Sequence, residues 1–183
     1  MKNILFITLI TLFGLSLNAQ ETKTKKELKA EKKAQEIAKR DAYRKVQEQW
    51  VDNKTFVLEA QQVYNKIGEM FQLTPSTNFV HINGDQAVIQ LSFNSLIGWN
   101  GVGGITIKGK ISKYKVDYDN KNKPIYIRMT VQGSEGFQDI TMWISSNGNG
   151  EAEVVDLRGN RIKFTGDVVS LEDSHVFIGS SRP

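Results

Sequence analysis

The chain of 183 residues has no cysteine, two histidines and three prolines. Without cysteine there are no disulfides, thiolate metal sites or thiol nucleophiles, and no lipid-modified cysteine to tether the protein to a membrane. The two histidines, His81 and His175, lie far apart, with neither a His-x-x-x-His spacing nor a carboxylate at ligand spacing beside them. No zinc site is expected, and His81 reads as an ordinary strand histidine. No serine sits in a Gly-x-Ser-x-Gly elbow. Asp117, Asp119, Asn120 and Asn122 resemble a calcium loop only superficially. Lys121 and Lys123 replace acceptors, and the glycine and distal glutamate of such a loop are missing, so a hairpin turn is expected. Glu151 and Glu153 share one side of a strand beside a turn and read as solvated, although glycosidase chemistry needs two carboxylates facing across a cleft. These absences argue against an enzyme, a cofactor and a metal.

Long apolar runs are equally scarce. The exception spans residues 4–17, follows a single Lys2 and ends at Leu17-Asn18-Ala19. About fourteen residues is short for a bilayer span, which needs roughly twenty. The charged, apolar, small order is that of a secretory signal peptide over residues 1–19, cleaved near Ala19. A periplasmic or secreted protein beginning near Gln20, with no membrane anchor, is the expectation.

Charge is distributed unevenly. Residues 21–49 hold ten Lys/Arg against six Asp/Glu, with no glycine or proline, whereas residues 50–183 hold thirteen against fourteen. The basic balance belongs to the N-terminal segment, so it is no argument for nucleic-acid binding by the rest. Residues 20–49 read as a charged helical arm. Ala, Glu, Lys, Gln and Leu dominate it, and Glu21/Lys25, Glu36/Arg40 and Asp41/Lys45 are acid-before-base pairs at i,i+4. Its apolar stripe of Leu28, Ala34, Ile37, Ala38, Ala42 and Val46 is too thin for a coiled coil, which suggests a solvated spacer.

From Trp50 the hydrophobic period becomes two. Ala87, Ile89, Leu91 and Phe93 share a face; so do Ile105, Ile107 and Ile111; Tyr114, Val116 and Tyr118 alternate with Lys113, Lys115 and Asp117; Ile125, Ile127, Met129 and Val131 alternate with Tyr126, Arg128, Thr130 and Gln132. Turns rich in Asn, Gly and Asp separate these runs and imply antiparallel neighbours. Phe137 and Ile140 fall on opposite phases, which suggests a bulge near Asp139. A strand is expected to about Val63, followed by a loop or short helical turn. The fold class is therefore all-β with an N-terminal helix: an antiparallel meander of about nine strands over residues 50–170, curled into a barrel-like or sandwich core, with a loosely attached tail at 171–183.

Several segments carry a resemblance: Thr77-Asn78-Phe79-Val80, Gly84-Asp85-Gln86-Ala87, the run from Asn100-Gly101-Val102-Gly103-Gly104 through Gly109, and the later strands around Asp139-Ile140 and Gly159. Over about residues 50–168 the chain resembles a family of exported Bacteroidetes proteins known only as a domain of unknown function. That resemblance implies a secreted all-β domain and assigns no site residues.

The glycines at 101–104 precede a strand instead of opening a helix, so they are no dinucleotide fingerprint. The loop 95–104 is nevertheless the candidate binding surface, because Trp99 stands in it beside Asn100 and Gly101 and an aromatic on pliant backbone can stack on a sugar, an aryl group or another protein. The competing reading folds Trp99 over the end of the core. The expected role is a non-enzymatic binding module for a small ligand or an envelope protein. The alternatives are an envelope hydrolase or transferase with a carboxylate site, and a structural protein docking through its arm or a sheet edge.

Overall fold

The computed structural model describes residues 24–92, 104–120, 123–134 and 136–180. A 29-residue helix, α1 (Lys25–Asn53), precedes nine strands: β1 (Thr55–Tyr64), β2 (Met70–Gln72), β3 (Phe79–Asn83), β4 (Gln86–Ser92), β5 (Gly104–Asp117), β6 (Ile125–Gly133), β7 (Gly136–Ile144), β8 (Asn149–Asp156) and β9 (Arg161–Ser170). All are antiparallel in one sheet of order β2-β1-β3-β4-β5-β6-β7-β8-β9, and β1 pairs again with β9. That last pairing closes eight strands into a barrel, leaving β2 as a short flap on the end of β1.

Closure separates an inner wall from an outer one. The inner wall gathers Phe56, Leu58, Val80, Ile82, Ile89, Ile127, Met142, Phe164 and their neighbours into one apolar cluster. Each such side chain contributes about 1.5–3 kcal/mol on burial. Two irregularities shape the wall. In β1 the register against β9 shifts between Ala60 and Gln62, and nearby Gly166 lies so close to the Glu59 carbonyl that any Cβ there would collide with it. In β5 the register shifts between Ile111 and Lys113, so that Ile111 and Tyr114 both serve the interior. A bulge at Ser112 thus reverses the alternation midway along a single 14-residue strand. The bulge anticipated near Asp139 is absent: β6 and β7 pair without a register break, with Phe137 exposed and Gln138 buried.

Compactness divides the chain into Met1–Ile37 and Ala38–Pro183. In the first unit α1 begins with a capping box. Thr24 N donates to Glu27 Oε2 (2.8 Å), and Glu27 N donates to Thr24 Oγ1 (3.3 Å). In the second unit the helix is not the solvated spacer that composition suggested. It runs to Asn53, four residues past the expected boundary at Gln49, and buries Arg44, Gln47 and Val51. Of the anticipated stripe, Leu28, Ile37 and Val46 are exposed. The buried face works by hydrogen bonding to hairpin backbone at one end of the barrel. Arg44 Nη1 donates to Lys123 O (2.9 Å), Gln47 Nε2 to Ser145 O (3.0 Å), and Tyr114 Oη to Val51 O (2.8 Å). Lys54 turns the chain into β1 with φ 55°, its amide donating to Val51 O.

The C-terminal segment is not loose either. Gln90, buried on the outer wall, uses its whole hydrogen-bonding capacity. Its Nε2 donates to Thr77 O (3.0 Å) and Phe177 O (2.8 Å), while its Oε1 accepts from Gly179 N (2.8 Å) and Thr106 Oγ1 (3.1 Å). Val169, Leu171 and Val176 complete a second apolar cluster around Val57, Phe79 and Val88. Hence β4 is dry on both faces.

Two substitutions test these tethers. Gln90→Leu should cost about 3 kcal/mol by stranding four partners, lower the melting temperature by roughly 6–12 °C, and expose the segment after Leu171 to protease. Tyr114→Phe removes one bond between barrel and helix and should cost about 1 kcal/mol, read as a melting shift of roughly 2–4 °C.

Candidate functional site

The binding surface expected at Trp99, Asn100 and Gly101 lies outside the described residues, as does the segment 1–19. The other residues singled out for chemistry stay apart. His81 lies on the outer wall in β3, between Val57 of β1 and Val88 of β4, and His175 lies in the C-terminal segment with its Nδ1 2.9 Å from Asp173 O. Asp119 is ion-paired with Lys123 within the β5–β6 turn, and Asn122 lies outside the described residues. Glu151 pairs with Lys163 (2.7 Å) and Glu153 with Arg161 (3.4 Å), each across to β9. Among the described residues no three His, Asp or Glu side chains gather closely enough to hold a metal, and no helix is long and apolar enough to cross a membrane.

What the fold does assemble lies on the outer wall of β5–β8. Tyr126 and Trp143 are directly opposite on β6 and β7, on the face away from Ile125, Ile127, Met142 and Ile144. Their rings meet at 5.4 Å with a 49° tilt. Two residues along β6, the Arg128 guanidinium lies 5.3 Å from the centre of the Tyr126 ring, a cation–π contact that joins the aromatic pair to a basic region. A shallow hollow opens on each side of this shelf. One, of about 460 Å³, is lined by Pro124, Trp143, Ser145, Asn149, Glu151 and Thr165. The other, of about 380 Å³, is lined chiefly by Lys113, Lys115, Arg128, Thr130, Asp139 and Thr141.

The register explains the grouping. Outward residues of successive strands fall into transverse rows: Lys115, Arg128, Thr141 and Glu153 form one, and Tyr126, Trp143, Glu151 and Thr165 another. Thr130 Oγ1 donates to Asp139 Oδ1 (2.8 Å), fixing the floor of the basic hollow. The arrangement offers an apolar ring face, hydroxyls, the carboxylates of Glu151 and Asp139 and several cations to something lying along the wall. A further group of exposed apolar residues marks the end of the barrel away from α1, where Ile67 stands on the β1–β2 connection, Phe71 on β2 and Leu157 on the β8–β9 connection.

Fold and wall together define a helix-capped, eight-stranded antiparallel barrel with a polar-aromatic exterior. The model for a domain of unknown function, DUF4251, matches residues 38–168, and the chain belongs to that family. The match begins at Ala38, so it includes the half of α1 that caps the barrel. A crystal structure of a DUF4251 family protein from Bacteroides eggerthii is similar at a TM-score of 0.58 and 29% identity, covering 69% of this chain and 86% of that one. No curated protein matches the chain.

Partial burial lowers the His81 pKa from the usual 6.5, the opposing backbone hydrogen bond being the smaller influence. A lowered pKa means that the unfolded chain takes up the proton first, so the stability that neutral His81 permits declines as pH falls below 6.5. His81→Gln should flatten this acid-side decline, checked by urea denaturation of both proteins across that range.

Proposed function

We propose that this protein is a non-catalytic binding module of the cell envelope, reached by export through its N-terminal signal, that holds a saccharide-like ligand against the Trp143–Tyr126 shelf. One observation carries the reading: apart from Gln138 on β7, the described buried inward side chains of β5–β8 form an apolar cluster, whereas aromatic, hydroxyl and charged groups converge on the outer wall of β5–β8 between two hollows. A sugar ring has apolar C–H faces and a polar rim. Trp143 supplies a surface for the former, and Ser145, Asn149, Glu151 and Thr165 supply hydrogen-bonding groups for the latter.

The hydrolase alternative is less well supported. Glu151 borders the hollow, but it is engaged by Lys163, and Glu153 by Arg161, instead of the two facing one another across a cleft. The docking alternative draws on β2, whose three residues are exposed on the flap beyond the closed barrel.

Trp143→Ala should weaken binding about tenfold, a loss of about 1.4 kcal/mol, while the barrel stays folded because Trp143 contributes to the outer wall. Calorimetric titration with neutral tetrasaccharides of glucose and N-acetylglucosamine checks this. Tight binding that survives the substitution, or no binding by the intact protein, argues against the shelf.

A further inference from the structure

Strand β5 turns four lysines outward. Lys108 and Lys110 precede the Ser112 bulge, Lys113 and Lys115 follow it, and all four are exposed. Without the extra residue, strict alternation from Lys108 and Lys110 would bring Ser112 and Tyr114 to the outer wall and turn Lys113 and Lys115 inward. The bulge therefore keeps one unbroken basic row along the strand. From Lys108 to Lys115 the row spans roughly 23 Å at about 3.3 Å per residue.

This row is short of counter-charge. Lys115 stands directly opposite Arg128 on β6, a like-charge cross-strand pair, which is destabilising when left uncompensated. Among the described residues Lys113, Lys115 and Arg128 form no ion pair. Of the acids nearby, Asp85 pairs with Lys54, while Asp139, which accepts from Thr130, and Asp117, which ends the row opposite Tyr126, leave two carboxylates beside the five cations of the four lysines and Arg128. All this occurs in a segment, residues 50–183, with one more acid than base, so the row is a local concentration of positive charge and no consequence of overall basicity.

We infer that the row Lys108, Lys110, Lys113 and Lys115, with Arg128, binds an extended anionic polysaccharide whose carboxylates follow β5 while a neighbouring sugar ring lies on the Tyr126–Trp143 shelf. The inference rests on the shelf reading above and adds the charge and the polymeric form of the ligand. A glycan is favoured over a nucleic acid because the aromatic shelf is confined to one spot on a domain that is otherwise near neutral, whereas nucleic-acid binding draws on a broad basic field.

The test uses polygalacturonate as probe, its fully methyl-esterified form as the neutral counterpart, and a single-stranded DNA of matched charge. The secreted, full-length mature chain should bind polygalacturonate, and binding should fall as salt rises. Esterification should weaken it at least about tenfold, to what the shelf alone holds, Lys113→Gln/Lys115→Gln should weaken it about tenfold, and Trp143→Ala should weaken it as well. The two lysines are exposed, and circular dichroism of the double variant checks that its fold is intact. Equal binding of the esterified polymer, lost in Trp143→Ala, would overturn the charge assignment and leave the shelf standing. DNA binding as tight as that of polygalacturonate would overturn the glycan assignment in favour of a general polyanion surface. Failure to bind polygalacturonate overturns the inference, and the neutral tetrasaccharides then decide separately whether the shelf reading falls with it.

Discussion

The pairing of β1 with β9 is the constraint on which the rest of the molecule depends. An open eight-strand meander would expose two edges and a continuous apolar face; joining its first and last long strands removes both at once. The join requires specific local chemistry. β1 must serve β3 on one side and β9 on the other from Phe56 to Glu59, and its irregularity between Ala60 and Gln62 is met by a glycine at 166, where the backbones approach too closely for a side chain. Once closed, the barrel assigns every alternating residue to inside or outside. Binding chemistry carried by the described strands is thereby directed to the wall.

Closure of the sheet leaves two open ends, and one of them is covered by the second half of α1. This contact is unusual in being led by polar groups. Arg44 and Gln47 are buried yet reach hairpin carbonyls, while Val51 joins the core cluster from the last turn. Buried polar groups are favourable only when matched; Gln47 Oε1 is buried without a partner, but the donors of Arg44 and Gln47 are matched, and their bonds specify one seating of the helix where a purely greasy face would allow several. Tyr114 reinforces it from the barrel side. Desolvation and the Asp52 charge both raise its phenol pKa, which keeps the hydroxyl available as the donor to Val51 O.

Much of this was legible in the residues, and the misreadings have identifiable causes. Alternation identified β1, β4, β6 and the two phases of β5, because each is dry on its inner side; the composition change located the helix and its approximate end. Three features were hidden. Arg44 and Gln47 look like surface residues, and only tertiary hydrogen bonds make them buried ones. The C-terminal segment has no period because it packs as an irregular strap, held by apolar contacts of Leu171 and Val176, by bonds to Ser76 and Glu59, and by Gln90, 87 positions earlier than Phe177. Phe137 suggested a bulge because a large aromatic was assigned to the interior, whereas the regular register sends it outward and Gln138 inward. The shelf was half visible: Tyr126 and Arg128 fall on the wet side of β6 by simple alternation. Their partner Trp143 belongs to the next strand, and only the cross-strand register brings the rings together.

The Ser112 bulge links architecture to chemistry most directly. A strand as long as β5 must follow the curve of the barrel from the Gly104 end to the helix-capped end, and a bulge supplies the local twist that lets it do so. The same extra residue changes parity, and the consequence on each face is opposite in kind. Inside, Ile111 and Tyr114 both reach the core, so the apolar cluster continues past the irregularity and Tyr114 arrives where it can bond to α1. Outside, Lys110 and Lys113 stand on the same wall, so the positive charge continues as well. A device that relieves curvature thus also determines where cations accumulate, and it places them beside the one aromatic pair on the outer wall of β6 and β7. The outer wall of β5–β7 is accordingly the part of this barrel where fold geometry and side-chain chemistry are coupled, and the surface through which a partner would sense both.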